Sequence, residues 1–119
     1  MSRTRDQPNP GSLTQPSLVA MYRYFNSKLF GDRLPHTLPI KLTGNKTLRG
    51  ILVGKGGWDR EKQRIVVSNK VHDAVQAGVV LRAMCSVWRD INGQPVTAAV
   101  AKYAELKVKL KEELTDVQS

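Results

Sequence analysis

Trp58-Asp59-Arg60-Glu61-Lys62-Gln63-Arg64-Ile65-Val66-Val67-Ser68 decides the fold class. From Gln63 to Ser68 the residues alternate. Ile65 and Val67 fall on one face, and Arg64, Val66 and Ser68 on the other, the period of a β-strand. The charged run from Asp59 to Lys62 reads as the turn that precedes it. Upstream, Gly54-Lys55-Gly56-Gly57 reads as a flexible hairpin loop. It lacks the GxxxxGK[ST] spacing of a phosphate loop, and no helical pattern follows it. Thr47 to Val53 reads as a second strand, broken by Gly50, behind a turn at Gly44-Asn45. Leu38, Ile40 and Leu42 alternate with Pro39 and Lys41, a short strand that its proline assigns to an edge. The three strands predict an antiparallel meander.

Helical patterns flank this sheet. Leu18, Tyr22, Phe25 and Leu29 recur at i, i+4, i+7 and i+11. Thr14 suits the N-cap and Pro16 the first turn, while Gly31 and Pro35 suit the stop. Past the sheet, residues 71–91 read as a long helix with Val80, Met84, Val87 and Ile91 on one stripe and Gly78 weakening its first half. Asn92-Gly93 ends it, and Pro95 opens a last helix over 96–114 carrying Val100, Tyr103, Leu106 and Leu110. The expected fold is α+β: an N-terminal helix, a three-stranded antiparallel basic sheet and two C-terminal helices. Residues 1–13 read as a disordered arm, 14–114 as one domain and 115–119 as a frayed tail.

Of the 119 residues, 40% are hydrophobic and 24% charged, which suits a folded domain rather than a disordered chain. One cysteine, Cys85, excludes an internal disulfide, and two histidines, His36 and His72, leave little for a metal site. Neither an apolar span nor the apolar core of a secretory signal is visible, so a cytoplasmic protein without membrane contact is expected. The net charge is +9, which favours an anionic partner. It is uneven: +3 over residues 1–36, +6 over 37–70 and zero over 71–119. Lys41, Lys46, Arg49, Lys55, Arg60, Lys62 and Arg64 therefore form the expected electrostatic footprint. Trp58, beside the glycines, is a candidate to stack on an unpaired base.

Three segments in order carry a resemblance. Tyr24-Phe-Asn-Ser-Lys-Leu-Phe-Gly-Asp-Arg-Leu-Pro35 resembles the opening helix of SprT-like (Spartan-type) zinc metalloprotease domains, which read Phe-Asn and then Phe-Gly-x-x-Leu-Pro. Trp58 through Asn69 is similar to the family's strand pair, ending here in Ser68-Asn69. Leu81-Arg-Ala-Met-Cys-Ser-Val-Trp88 stands where the family carries His-Glu-Met-x-His-x-Trp. The resemblance implies a zincin-like minimal domain, and the departures imply a degenerate active site. In the zincin motif two histidines one helical turn apart ligate zinc, and the glutamate activates its water. Arg82 replaces the first histidine, Ala83 the glutamate and Ser86 the second histidine. The third ligand of the family would fall near Ala99. A guanidinium does not bind zinc and alanine is no base, so no metal, cofactor or catalytic residue is expected.

Residues 82, 86 and 89 share one helix face, so Arg82 and Arg89 would line the former metal groove and hold a phosphate there. The leading expectation is a pseudo-protease that binds nucleic acid, DNA before RNA, through this groove and the basic sheet. The alternative is a protein-interaction factor that uses the retained substrate groove to hold an acidic or nucleic-acid-binding protein. A phage- or plasmid-encoded inhibitor of a host nucleic-acid-handling or defence complex, acting in the host cytoplasm, would be of this kind. A basic structural subunit is a third option. Arg82 also has possible carboxylate partners in Asp73, Asp90 and Glu105.

Overall fold

The first helix, α1 (Gln15–Leu29), starts where its cap chemistry directs. The Thr14 hydroxyl accepts the Ser17 amide at 3.3 Å, and Pro16 lies in the first turn, where no amide donor is needed. Its inner stripe buries Leu18, Tyr22, Phe25 and Leu29. Asn26 on the same stripe is buried too, and it shapes the corner beyond the helix. Its side chain donates to the Leu34 carbonyl at 2.9 Å and accepts the Leu34 amide at 3.1 Å. Its own carbonyl accepts the amides of Phe30 and Asp32. Gly31 and Asp32 take positive φ to complete the turn. The computed structural model describes residues 10–44 and 56–118. The expected strand over 47–53, together with Lys46, Arg49 and Lys55, lies outside them.

The strands are β1 (Ile40–Thr43), β2 (Gly56–Asp59) and β3 (Arg64–Ser68), in the order β1-β3-β2. The sheet is mixed, which corrects the antiparallel meander. β2 pairs antiparallel with β3 through the register Trp58↔Ile65, whereas β1 pairs parallel through Ile40↔Ile65. The meander supposed that each strand pairs with the next in sequence. Instead β3, the most continuously apolar strand, takes the centre. Ile65 and Val67 join the main core, and Val66 is buried on the opposite face, the pattern of a strand covered on both sides. β1 holds the edge that Pro39 suits. A second correction concerns the glycines: Gly56 and Gly57 belong to β2 rather than to a loop. Gly56 has φ +115°, and a Cβ there would lie 2.0 Å from the Val66 carbonyl oxygen, so only glycine fits. The turn follows at Arg60, and Gln63 adopts positive φ to close it.

Helix α2 (Asp73–Ile91) lies across the sheet and also packs on α1 and α3. With neighbours on three sides it buries more than one stripe, including Val79, Val80, Leu81, Ala83, Met84, Cys85 and Val87. Ile91, which the periodicity assigns to the core, is 54% exposed at the last position of the helix. Gln76 is buried as a polar hub. It accepts the Leu13 amide at 2.7 Å and donates to the Ser12 hydroxyl and the Ser68 carbonyl. It thereby fastens the segment before α1 to the end of β3. After Asn92 and Gly93, helix α3 (Val96–Gln118) returns along α2. Ala99 and Leu106 are buried and Tyr103 and Leu110 half-buried, while Val100, also assigned inward by spacing, is 65% exposed. Among the described residues, no helix is long and apolar enough to cross a membrane.

Candidate binding cleft

The hairpin β2–β3, α2 and the first half of α3 leave an open cleft of about 930 Å³ between them. Its floor is the face of α2 bearing Val79, Arg82, Ala83, Ser86 and Arg89. These positions are three or four residues apart, so they stack on one side of a helix. Val96, Ala99, Val100 and Tyr103 of α3 form one wall by the same spacing. The other wall is Gly56 through Glu61, six consecutive residues. The first four, Gly56–Asp59, are β2, whose glycines offer only backbone to the cleft, and Arg60 and Glu61 belong to the turn that follows. Among the described residues β2 is the outer strand of the sheet on this side and pairs with β3 alone.

Electrostatics beside the cleft centre on Asp90, at the end of α2, whose partners Trp58, Arg60 and Arg89 line it. Its carboxylate accepts the Trp58 indole N–H at 2.9 Å, Arg60 Nε at 2.9 Å and Nη2 at 2.8 Å, and Arg89 Nη2 at 2.9 Å. Burial pushes its pKa up, but the hydrogen bonds from Arg60, Trp58 and Arg89 outweigh burial and hold it below the usual carboxylate value. Arg64 pairs with Asp59 at 3.3 Å. Arg82 has no carboxylate partner among the described residues: none of Asp73, Asp90 and Glu105 reaches it. Its guanidinium instead lies 5.2 Å from the centroid of the Tyr103 ring, and Lys107 sits 5.7 Å from the same centroid. Asp73 is beside His72 and Glu105 beside Lys102.

The site residues read from the sequence thus divide. Arg82, Ala83, Ser86 and Arg89 meet in the cleft with Trp58 and Arg60. Ala99, which the resemblance equates with a third ligand position, lines it too. Lys41 on β1 and Lys62 at the turn are exposed away from its lining. Arg60, Arg64 and Arg89, read as contacts for an anionic partner, are held by the protein's own carboxylates. Ser86 donates weakly to the Arg82 carbonyl at 3.4 Å, the usual habit of a helical serine. No group of three or more His, Cys, Asp or Glu among the described residues could hold a metal ion. Cys85 lies in the core, and burial pushes its thiol up to about 12 despite the nearby Lys102 ammonium.

Sequence reasoning named Asp90 only as a possible partner of Arg82, and singled out neither Tyr103 nor Lys107 as a site residue. Charge counting by segment concealed Asp90, since Trp58 and Arg60, which it binds, lie about thirty positions earlier. The helical stripe containing Tyr103 was legible, but its pairing with Arg82 required the α2–α3 hairpin. No protein-family model, curated protein or solved structure matches the chain.

Proposed function

We propose that this chain is a non-catalytic SprT-like domain that captures an extended polypeptide segment in the cleft. The observation that carries this reading is the edge strand β2, Gly56–Asp59, which among the described residues pairs with β3 alone and lines a cleft walled on its far side by Val96, Ala99, Val100 and Tyr103. An unpaired strand edge offers a ladder of amides and carbonyls, and an added strand satisfies them while its alternate side chains enter the cleft. The lining supports capture without cleavage. Arg82, Ala83, Ser86 and Ala99 supply neither metal donors nor a base where a zincin-like fold would place them. The interaction factor expected as an alternative from sequence therefore becomes the leading reading.

Nucleic-acid binding is the second reading, and a specific observation favours it. Arg82 and Lys107 flank one aromatic ring without carboxylate partners among the described residues, on a protein of net charge +9. The internal pairing of Arg60, Arg64 and Arg89 counts against it.

Fluorescence anisotropy separates the two. The probes are a short acetylated peptide of alternating valine and threonine with one central glutamate, and single- and double-stranded DNA, at about 50 and 200 mM salt, a range over which phosphate-driven binding weakens steeply. The capture reading predicts that the peptide binds. It also predicts that Val100→Trp, at a 65% exposed position on the wall, blocks it without unfolding the protein. DNA binding with a steep salt slope, and no peptide binding, would put the second reading in its place.

A further inference from the structure

The cations of the cleft are not equivalent. Arg60 and Arg89 share the Asp90 carboxylate, and Arg64 on the neighbouring strand is paired with Asp59. Each already has its counter-charge. Arg82 is exposed on the cleft floor, and its guanidinium has no hydrogen-bond acceptor among the described residues. The Tyr103 ring 5.2 Å away holds it by its face, a contact that fixes where the guanidinium sits but uses none of its five N–H donors. Lys107 on the same ring adds a second positive charge with no carboxylate partner among those residues. The cleft thus contains a positioned guanidinium with open donors beside Val79, Ala83, Ala99 and Val100.

An extended segment lying along β2 would turn every second side chain toward α2 and α3. Most of those positions would meet Val79, Ala83, Ala99 or Val100, and one would meet Arg82. Resting on the reading of the cleft as a strand-capture site, we infer that Arg82 is its specificity residue and that the captured segment carries a carboxylate side chain there, flanked at alternate positions by apolar residues. A planar guanidinium binds a carboxylate through two parallel N–H···O bonds, a geometry that an ammonium does not match. Partial removal from water on the cleft floor strengthens the pair over its exposed equivalent. Tyr103 limits the entropy lost on binding by holding Arg82 in place beforehand. The partner so defined is an acidic polypeptide, and the overall charge of +9 would speed its approach.

The test compares the valine–threonine peptide carrying a central glutamate with its glutamine counterpart, on the wild type and on Arg82→Gln and Arg82→Lys. Arg82 is exposed, so these variants keep the core intact. The glutamate peptide is expected to bind the wild type about five- to ten-fold more tightly than the glutamine peptide. Arg82→Gln should abolish that preference, and Arg82→Lys should restore it only in part. Equal affinities in the wild type, or a preference that survives Arg82→Gln, would overturn the inference while leaving strand capture standing. Failure of both peptides to bind would remove the capture reading and the inference with it. Displacement of the glutamate peptide by single-stranded DNA, lost in Arg82→Gln, would assign Arg82 to phosphate instead.

Discussion

Replacing Asp90 by alanine should destabilise the protein by about 2–4 kcal/mol, from the cost of stranding its part-buried partners. The carboxylate receives four hydrogen bonds from three residues. Arg60 is 61% exposed, so its guanidinium returns to water and its loss contributes about 0–1 kcal/mol. Trp58 and Arg89 cannot do the same. Arg89 is only 16% exposed, and its buried Nε already has no acceptor among the described residues. The indole N–H and Arg89 Nη2 are part-buried, so each would lose its partner at the low end, about 1–1.5 kcal/mol, of the cost of a stranded donor. The assay is urea unfolding of wild type, Asp90→Ala, Trp58→Phe and the double variant, whose cycle isolates the Trp58–Asp90 term. The effect also has a pH signature. Asp90 titrates lower in the folded chain than in the unfolded one, because its hydrogen bonds with Arg60, Trp58 and Arg89 outweigh burial. The unfolded state therefore takes up the proton first. The gap between wild type and Asp90→Ala should be full above the unfolded carboxyl value of about 3.9 and shrink as the pH falls through the folded one. A difference under about 0.5 kcal/mol at neutral pH, the range of ordinary surface substitutions, would refute the staple. So would a gap that did not narrow in acid.

The packing sets three other outcomes. Gly56→Ala should cost at least about 3 kcal/mol, since its Cβ would overlap the Val66 carbonyl at a positive φ, and thermal melting would read the loss. Asn26→Ala should cost about 2–3 kcal/mol by leaving the buried Leu34 amide and carbonyl unpaired, measured by urea unfolding. The Cys85 thiol, buried and raised to about 12, should resist iodoacetamide in the folded protein at mildly alkaline pH and react promptly in urea. Rapid labelling of the folded protein would contradict its placement in the core.

The helices were legible because their signals are local. Thr14, Pro16 and the Leu18–Tyr22–Phe25–Leu29 stripe specify α1 within a few turns, and Val80, Met84 and Val87 do the same for α2. Ile91 and Val100 fit those stripes equally well yet stand in solvent, because periodicity says which residues share a face and not how far the neighbouring element extends. The sheet was legible in its composition and not in its order. Nothing local to Ile40 or Ile65 distinguishes a parallel partner from an antiparallel one. The choice depends on which strand can be buried on both faces. The same limit applies to the cleft. Spacing places Arg82, Ser86 and Arg89 together on one helix, but the ownership of each arginine is a tertiary fact. Asp90 takes Arg60 and Arg89, Asp59 takes Arg64, and Arg82 is left to Tyr103. A basic segment in the sequence thus becomes, in the fold, a partly neutralised wall facing an open guanidinium.

Strand capture is read out at the backbone amides of β2. Hydrogen exchange, followed residue by residue by NMR, should be measured for the free protein and with the glutamate-bearing peptide present. Capture predicts that outward-facing amides within Gly56–Asp59 become protected and shift on titration, together with resonances of Val100 and Tyr103. Binding that leaves the β2 amides unprotected, with shifts confined to surfaces remote from the cleft, would contradict it.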